Sequence, residues 1–401
     1  MQNFLYLVLF FFRKPSLVLK YVSTILKFNK IKSGDIVFVF PFFHTGGAEK
    51  VHFRISQIAK SNGLICSFIF TETSKIETYK SKFQQLGLLI DISFRYKNEK
   101  INGLLKKKLI KSINSKNIIV FSCNKYFYNL ISDLENTLMI DLIHSFDPPF
   151  EISNLNYKSV YHKFNKRIFI NNQALLLMKE VYNSYKIQGV EKLELIHNSP
   201  FEIENEPDTF LSKPFEDKLE IIFVSRNSSE KRPHLVFELA KLMNEEYPDK
   251  FNFIMIGDFE NFKSKYNYEN ISTYTGLHDV ESIIPYYQRA HVLVLTSETE
   301  GFPMAISEAM FHSVLPVSTD VGGISDIINS GINGILISNT QDELSIVNQF
   351  KETLLYLFNE KNKREEMTIA SFNSAKLFFS AAEFENKYTN LFLNKNKIGR
   401  Y

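Results

Sequence analysis

Short apolar runs, almost free of polar residues, recur along this chain and are separated by stretches with helical spacing. The first series is IVFVF (36–40), LICSFIF (64–70), IIVFS (118–122), LMIDLIH (138–144), RIFIN (167–171) and LELIHN (193–198). A strand with no polar face is buried on both sides, and intervening helices supply the cover, so the pattern predicts a parallel, doubly wound sheet. Val51, Ile55, Ile58 and Ala59 show the helical spacing between the first two runs. A second series follows: EIIFVS (220–225), NFIMIG (252–257), STYTG (272–276), VLVLT (292–296), VLPVS (314–318) and GILI (334–337). Between the two, EIENEPDTFLSKPFED (202–217) carries acids and two prolines and reads as a linker. The expected class is α/β: two Rossmann-like domains, 35–201 and 218–375, facing a cleft at the carboxyl ends of their strands. Residues 341 to 394 are helical by pattern, and 376–401 is expected to cross back to the first domain.

Residues 1–34 stand apart, with Arg13, Lys14, Lys20, Lys27, Lys30 and Lys32 and no acid. FLYLVLFFF (4–12) is about half the length a membrane-spanning helix requires. Beyond Pro15 the spacing predicts an amphipathic helix over 17–28, with Lys20, Ser23, Thr24 and Lys27 on one face. Such a start suits an in-plane anchor on an anionic membrane surface; the alternative is a helix docked on the protein's own core. The charges follow the apolar run and no small-residue cleavage site appears, which argues against a signal peptide. A net charge of +3 is too small for a nucleic-acid partner held through its phosphates. Cys66 and Cys123 both lie in apolar runs and are expected as buried thiols, which excludes a disulfide scaffold and fits a reducing, cytoplasmic setting.

Three strand-end loops carry candidate chemistry. Gly46 and Gly47, in PFFHTGGAEK (41–50), let backbone approach a ligand at a helix start that favours phosphate, although a tight turn needs the same glycines. Neither a Walker loop nor a GxGxxG fingerprint is present. Arg226 and Lys231, in SRNSSEK (225–231), could neutralise a diphosphate or simply pair in a solvated loop. Glu300 and Glu308, in SETEGFPMAISEAM (297–310), span a loop-to-helix junction, with Pro303 suited to the helix's first turn. Two carboxylates so placed can accept hydrogen bonds from adjacent hydroxyls of one ligand; glycoside hydrolysis also uses paired carboxylates but needs no diphosphate cradle.

Glu300 and Glu308, followed by LPVSTDVGGISDIINSGINGILI, resemble the E-x7-E signature of the retaining nucleotide-sugar glycosyltransferases of family 4, which have the two-Rossmann GT-B fold. Arg226 and Lys231 match that family's basic pair on the donor diphosphate, Gly46 and Gly47 its amino-terminal glycine loop, and TGLHDVESIIPYYQRAHVLVLTS the segment before the glutamates. The resemblance runs from Asp35 to about Tyr388. It implies that Glu308 binds the ribose hydroxyls and that Glu300 orients the transferred sugar. Gly301, Phe302 and Met304 would then lie against the sugar and diphosphate, and Leu277 and His278 would border the base. His144 falls where the family often has a histidine near the reacting centre. Ser225 and Arg232 depart from glycines common beside the basic pair, Ser199 from a glycine after Asn198, and Asp326 from a common glutamate.

What the resemblance implies, then, is sugar transfer with retention from a nucleotide-diphosphate sugar, UDP ahead of GDP, to a lipid-linked saccharide at the inner face of a bacterial membrane. The chain contains no Asp-x-Asp, so no metal and no other cofactor is expected. Two rivals stand beside it: an epimerase or hydrolase of nucleotide sugars with the same fold and donor cleft, and, from a different class, a non-catalytic membrane subunit that only binds a nucleotide sugar.

Overall fold

The structure, a computed structural model, describes residues 15–31, 36–43, 46–74, 77–97, 99–114, 118–144, 155–215, 217–263, 265–266, 270–276 and 280–393. The apolar run at 4–12, with Arg13, Lys14 and Lys32, lies outside them, as do Leu277 and His278. The chain forms two compact units. The first comprises Met1–Phe169, Leu175–Ile196 and Glu385–Tyr401, the second Ile170–Ala174 and His197–Phe384.

In the first unit the elements are α1 (Pro15–Phe28), β1 (Ile36–Phe40), α2 (Gly47–Ser61), β2 (Cys66–Phe70), α3 (Lys80–Leu86), β3 (Gly87–Asp91), α4 (Glu99–Asn114), β4 (Ile118–Ser122), α5 (Lys125–Ile131), β5 (Thr137–Ile143), β6 (Lys166–Phe169), α6 (Asn172–Ser184) and β7 (Leu193–Leu195). The strands make one seven-stranded parallel sheet in the order β3-β2-β1-β4-β5-β6-β7. Ile36 of β1 pairs with Cys66 of β2 on one side and Ile119 of β4 on the other. The order reverses between β1 and β4, and the loops leaving that switch point are where ligands bind in this architecture. Phenylalanine dominates the core: Phe38 stacks on Phe68 with centroids 5.3 Å apart and meets Phe121 at 5.5 Å. Strand β3 is an addition to the sequence reading, which placed no strand between 70 and 118. Its first residue, Gly87, approaches β2 so closely that a Cβ there would lie 2.0 Å from the Cys66 carbonyl oxygen.

Helix α1 buries Leu17, Val18, Tyr21, Thr24 and Phe28, and packs on α4 and β3. Thr24, expected on the polar face, is therefore an inward residue, and the Lys27 ammonium donates to the Leu89 carbonyl at 3.0 Å. Leu19, Val22 and Leu26 remain exposed on the outer side beside Lys20. Among the described residues no helix is long and apolar enough to cross a membrane.

The second unit repeats the plan with β8 (Leu219–Val224), α7 (Pro233–Glu246), β9 (Phe251–Ile256), α8 (Glu260–Lys263), β10 (Ile271–Tyr274), α9 (Val280–Arg289), β11 (Val292–Leu295), α10 (Met304–Phe311), β12 (Leu315–Thr319) and β13 (Ile335–Ile337). Its parallel sheet runs β10-β9-β8-β11-β12-β13, with the switch point between β8 and β11. Helices α11 (Glu343–Asn359), α12 (Lys361–Phe378) and α13 (Ala381–Leu393) follow. From residue 385 onward α13 belongs to the first unit, where Phe392 meets Phe38 edge-on at 6.5 Å. The segment 202–217 packs within the second unit: the Leu211 N–H donates to Ser313 Oγ at 2.8 Å, and the buried Lys213 ammonium caps the Tyr287 and Ala290 carbonyls.

Candidate active site

Loops after β8 and β11 bring Lys231 and Glu300 together. The Lys231 ammonium donates to Glu300 Oε1 at 2.6 Å, and Ser297 Oγ donates to the same oxygen at 2.6 Å. Glu300 is only 7% exposed, so the pair is largely desolvated and its geometry is correspondingly firm. Arg226 stands apart from it. Its guanidinium is 72% exposed and contacts Glu230 at 3.4 Å across one loop turn.

Arg232 explains how that loop is held. Its backbone is left-handed, with φ 46° and ψ 52°, a conformation that suits glycine and costs another residue about 1–2 kcal/mol. The buried guanidinium offsets this by donating to the carbonyls of Thr296 (2.7 Å) and Ser297 (3.0 Å) and to Asn339 Oδ1 (2.7 Å). Thr296 Oγ1 returns hydrogen bonds to the Lys231 and Arg232 carbonyls at 2.9 and 3.0 Å. The two loops are thereby laced together, and the departure from glycine noted in the sequence is a brace.

Glu308 lies in the second turn of α10, buried, with the Tyr287 hydroxyl of α9 donating to its Oε2 at 3.1 Å. Burial first, and the neighbouring carboxylate next, push the Tyr287 phenol well up, so it stays a donor at neutral pH. Pro303 takes the position just before the helix, one residue earlier than expected, and Met304 opens it. Asn171 Nδ2 donates to the Gly301 carbonyl at 2.7 Å, and the Phe302 ring meets Phe379 edge-on at 5.4 Å. Asp326 accepts from the Asn172 and Gln173 N–H groups at 2.6 and 3.0 Å. Sequence reasoning passed over Tyr287, Ser297 and Asn171 and took Arg232 only as a departure from glycine; Tyr287 and Ser297 sit inside the quoted motifs, while Asn171 is far away in the chain and left no signal.

In the first unit, Gly46 precedes α2 with extended backbone, so no positive φ demands a glycine there. The Glu49 carboxylate folds back over it, with Oε2 2.2 Å from where a Cβ would lie, and an anionic side chain thus already occupies the helix start expected to cradle phosphate. His144, just beyond β5, has its Nε2 2.6 Å from Nε2 of His52, and Cys123 Sγ lies 3.1 Å from the same His52 atom. Burial lowers His144 to about 4, and burial together with His144 holds His52 well below its usual range, so both rings are neutral at pH 7. Cys123 is half-buried and not sealed in the core as expected, while Cys66 is buried; both are free thiols.

Residues 205–373 match the family described as glycosyl transferases group 1. An uncharacterized glycosyltransferase of Methanocaldococcus jannaschii is 32% identical over 29% of this chain and 33% of its own. An α-1,4-N-acetyl-D-galactosaminyltransferase of Campylobacter jejuni, whose name gives a PP-undecaprenol-linked saccharide as acceptor, is 24% identical over 40% of this chain and 44% of its own. The matched stretches therefore span less than half the length of these two relatives. Anabaena HepE, crystallised with UDP and glucose, superposes with a TM-score of 0.68 at 13% identity, over 90% of this chain and 99% of that one. That likeness is one of fold, and the two parallel Rossmann-like sheets are those of GT-B. The glutamate pair of the signature lies inside the segment, residues 205–373, that matches the group 1 glycosyltransferases.

Proposed function

We propose that the protein is a retaining glycosyltransferase. It would move a sugar from a nucleotide-diphosphate sugar, UDP-linked ahead of GDP-linked, to a hydroxyl of a lipid-linked saccharide in cell-surface polysaccharide or glycolipid synthesis. The observation that carries this reading is the convergence of Lys231, Ser297 and Glu300, with the Tyr287-bound Glu308 in the helix that follows. Glu308 would accept hydrogen bonds from the ribose hydroxyls, and Glu300 from those of the sugar, with Gly301, Phe302 and Met304 against the sugar and diphosphate. Leu277 and His278 would border the base, Gly46 and Gly47 would approach the diphosphate, and neutral His144 would contact the sugar.

The bond between the anomeric carbon and the donor's phosphate oxygen breaks as the acceptor oxygen attacks from the same face. Lys231, and Arg226 turned from its exposed position, stabilise the negative charge that develops on the departing diphosphate, a contribution of about 10²–10³ in rate for each donor removed. The departing phosphate takes the acceptor's proton, so no protein base is consumed. Because these cations and backbone groups serve the leaving group, transfer is proposed to proceed without a metal. The Campylobacter relative's acceptor supports a lipid-linked saccharide, and the outward Leu19, Val22 and Leu26 beside Lys20 support peripheral attachment to the inner membrane face.

A thermal-shift panel of UDP-, GDP-, ADP- and CMP-sugars, each with and without EDTA, tests the donor site against Glu308→Ala. One nucleotide class is expected to raise the melting temperature, equally in EDTA and less in the variant. No shift with any donor, in solution or on liposomes, overturns the reading; release of free sugar or an epimer without acceptor would favour hydrolysis or epimerisation instead.

A further inference from the structure

At the carboxyl end of the first sheet three side chains with ligating atoms converge from three separate elements. His52 comes from the second turn of α2, Cys123 directly follows β4, and His144 directly follows β5. One ligating atom from each, a ring nitrogen or the Cys123 Sγ, lies within 4.8 Å of the other two, and these three form such a group among the described residues. The His52 ring is fixed by stacking flat on Phe40, with centroids 4.2 Å apart and planes 7° apart. Cys123 is tied through its N–H to the Val39 carbonyl at 3.4 Å. His144 is half-buried, so the cluster is open on its side.

Protons alone satisfy this cluster poorly. His52 Nε2 is either a donor or an acceptor, never both. It faces His144 Nε2 at 2.6 Å and Cys123 Sγ at 3.1 Å, yet one ring nitrogen with one proton or one lone pair makes a single strong hydrogen bond. One of the two short contacts is therefore left without a proper bridge. His52 Nδ1 has no hydrogen-bond partner among the described residues. A cation between the three atoms would use every lone pair at once.

We propose that His52, Cys123 and His144 form a binding site for a zinc ion, with the fourth position left to solvent. Two imidazoles and a thiol are borderline-to-soft ligands that suit zinc and reject magnesium and calcium. Tetrahedral zinc needs N···N of about 3.3 Å and N···S of about 3.6 Å, given Zn–N near 2.0–2.1 Å and Zn–S near 2.3 Å. The observed separations then widen by roughly half an ångström or a little more, within reach of small side-chain rotations. Binding releases the Cys123 proton to solvent as the thiolate bonds the ion, while the neutral imidazoles lose none. Burial first, and then the carboxylates of Asp141 and Glu49, push the Cys123 thiol up, and a carboxylate's charge is of the sign that favours a dication nearby. Zinc held here would occupy His144 Nε2 and slow sugar transfer reversibly; this consequence, unlike the binding, rests on the transferase reading.

The test is titration of the reduced, chelator-treated full chain with Co²⁺, followed by displacement with Zn²⁺. One equivalent is expected to give tetrahedral visible bands and a near-ultraviolet thiolate-to-cobalt band, which zinc abolishes. Cys123→Ser should remove the near-ultraviolet band, and His52→Ala and His144→Gln should each weaken binding at least tenfold, whereas Cys66→Ser should leave the band intact. The half-exposed His144→Gln keeps the test valid if the buried His52 variant does not fold. Absence of the thiolate band in the native chain, or its persistence in Cys123→Ser, overturns the proposal whatever the fate of the donor assays.

Discussion

The carbonyl oxygen of Glu300 occupies the space in which a side chain at Gly322 would begin: a Cβ built there would lie 1.8 Å from it. Gly322 is also left-handed, with φ 57°, so both space and backbone conformation exclude other residues. The loop that presents Glu300 thus rests on the turn after β12. Gly322→Ala is expected to cost about 1–3 kcal/mol and to lower turnover more than donor affinity. Calorimetry with steady-state kinetics measures both, and an alanine variant with unchanged kcat would show that the loop position is not set by this contact.

The Lys231–Glu300 pair gives a coupling prediction. Removing either partner leaves the other charge poorly solvated, at about 2 kcal/mol in stability for a charged hydrogen bond. Lys231→Ala and Glu300→Gln should therefore be non-additive, the double variant being less destabilised than the sum of the singles. Strict additivity in denaturant melts would mean that the 2.6 Å contact contributes nothing.

Position 232 separates strain from bonding. Arg232→Gly loses the three guanidinium hydrogen bonds but relieves the left-handed backbone, whereas Arg232→Ala loses the bonds and keeps the strain. The glycine variant is expected to be the more stable of the two by about 1 kcal/mol, with both below the native chain. Equal melting temperatures for the two variants would refute the strain argument.

Acid should destabilise the fold before carboxylates titrate. Burial lowers His144 and His291 to about 4 from 6.5, and lowers His52 and His312 as well. Between pH 6.5 and about 4 the unfolded chain binds protons that the folded chain does not. Stability therefore falls as pH drops through this window and levels off above it. Urea midpoints at pH 7.5, 6 and 5 check this on the ordinary histidine range of about 6.5; a midpoint that does not move between 7.5 and 5 would contradict it.

Strands with unbroken apolar runs were legible because full burial leaves no room for polar residues, as in IVFVF and VLVLT. Strand β3 was not, since GLLID offers a three-residue apolar stretch between a glycine and an acid and lies at the sheet edge. At the site, Glu300, Glu308 and Lys231 could be picked out because their spacing is local to two loops. Arg232 was misplaced as a mere departure, because a left-handed backbone is invisible in a sequence that fills the position with arginine. Asn171 and Tyr287 act through contacts set by the fold, and the His52, Cys123 and His144 grouping joins residues 71 and 21 positions apart that only the strand order brings together.

Helix α1 has its inner face committed to α4 and β3 and its outer leucines and valine committed to nothing within the described chain. Mutation can therefore act on the two faces independently. Changes at Leu17, Tyr21 or Phe28 are filtered by folding, whereas Leu19, Val22 and Leu26 are exposed and free of that constraint. Under the proposed membrane attachment, these three positions are where it could be retuned without renegotiating the architecture beneath.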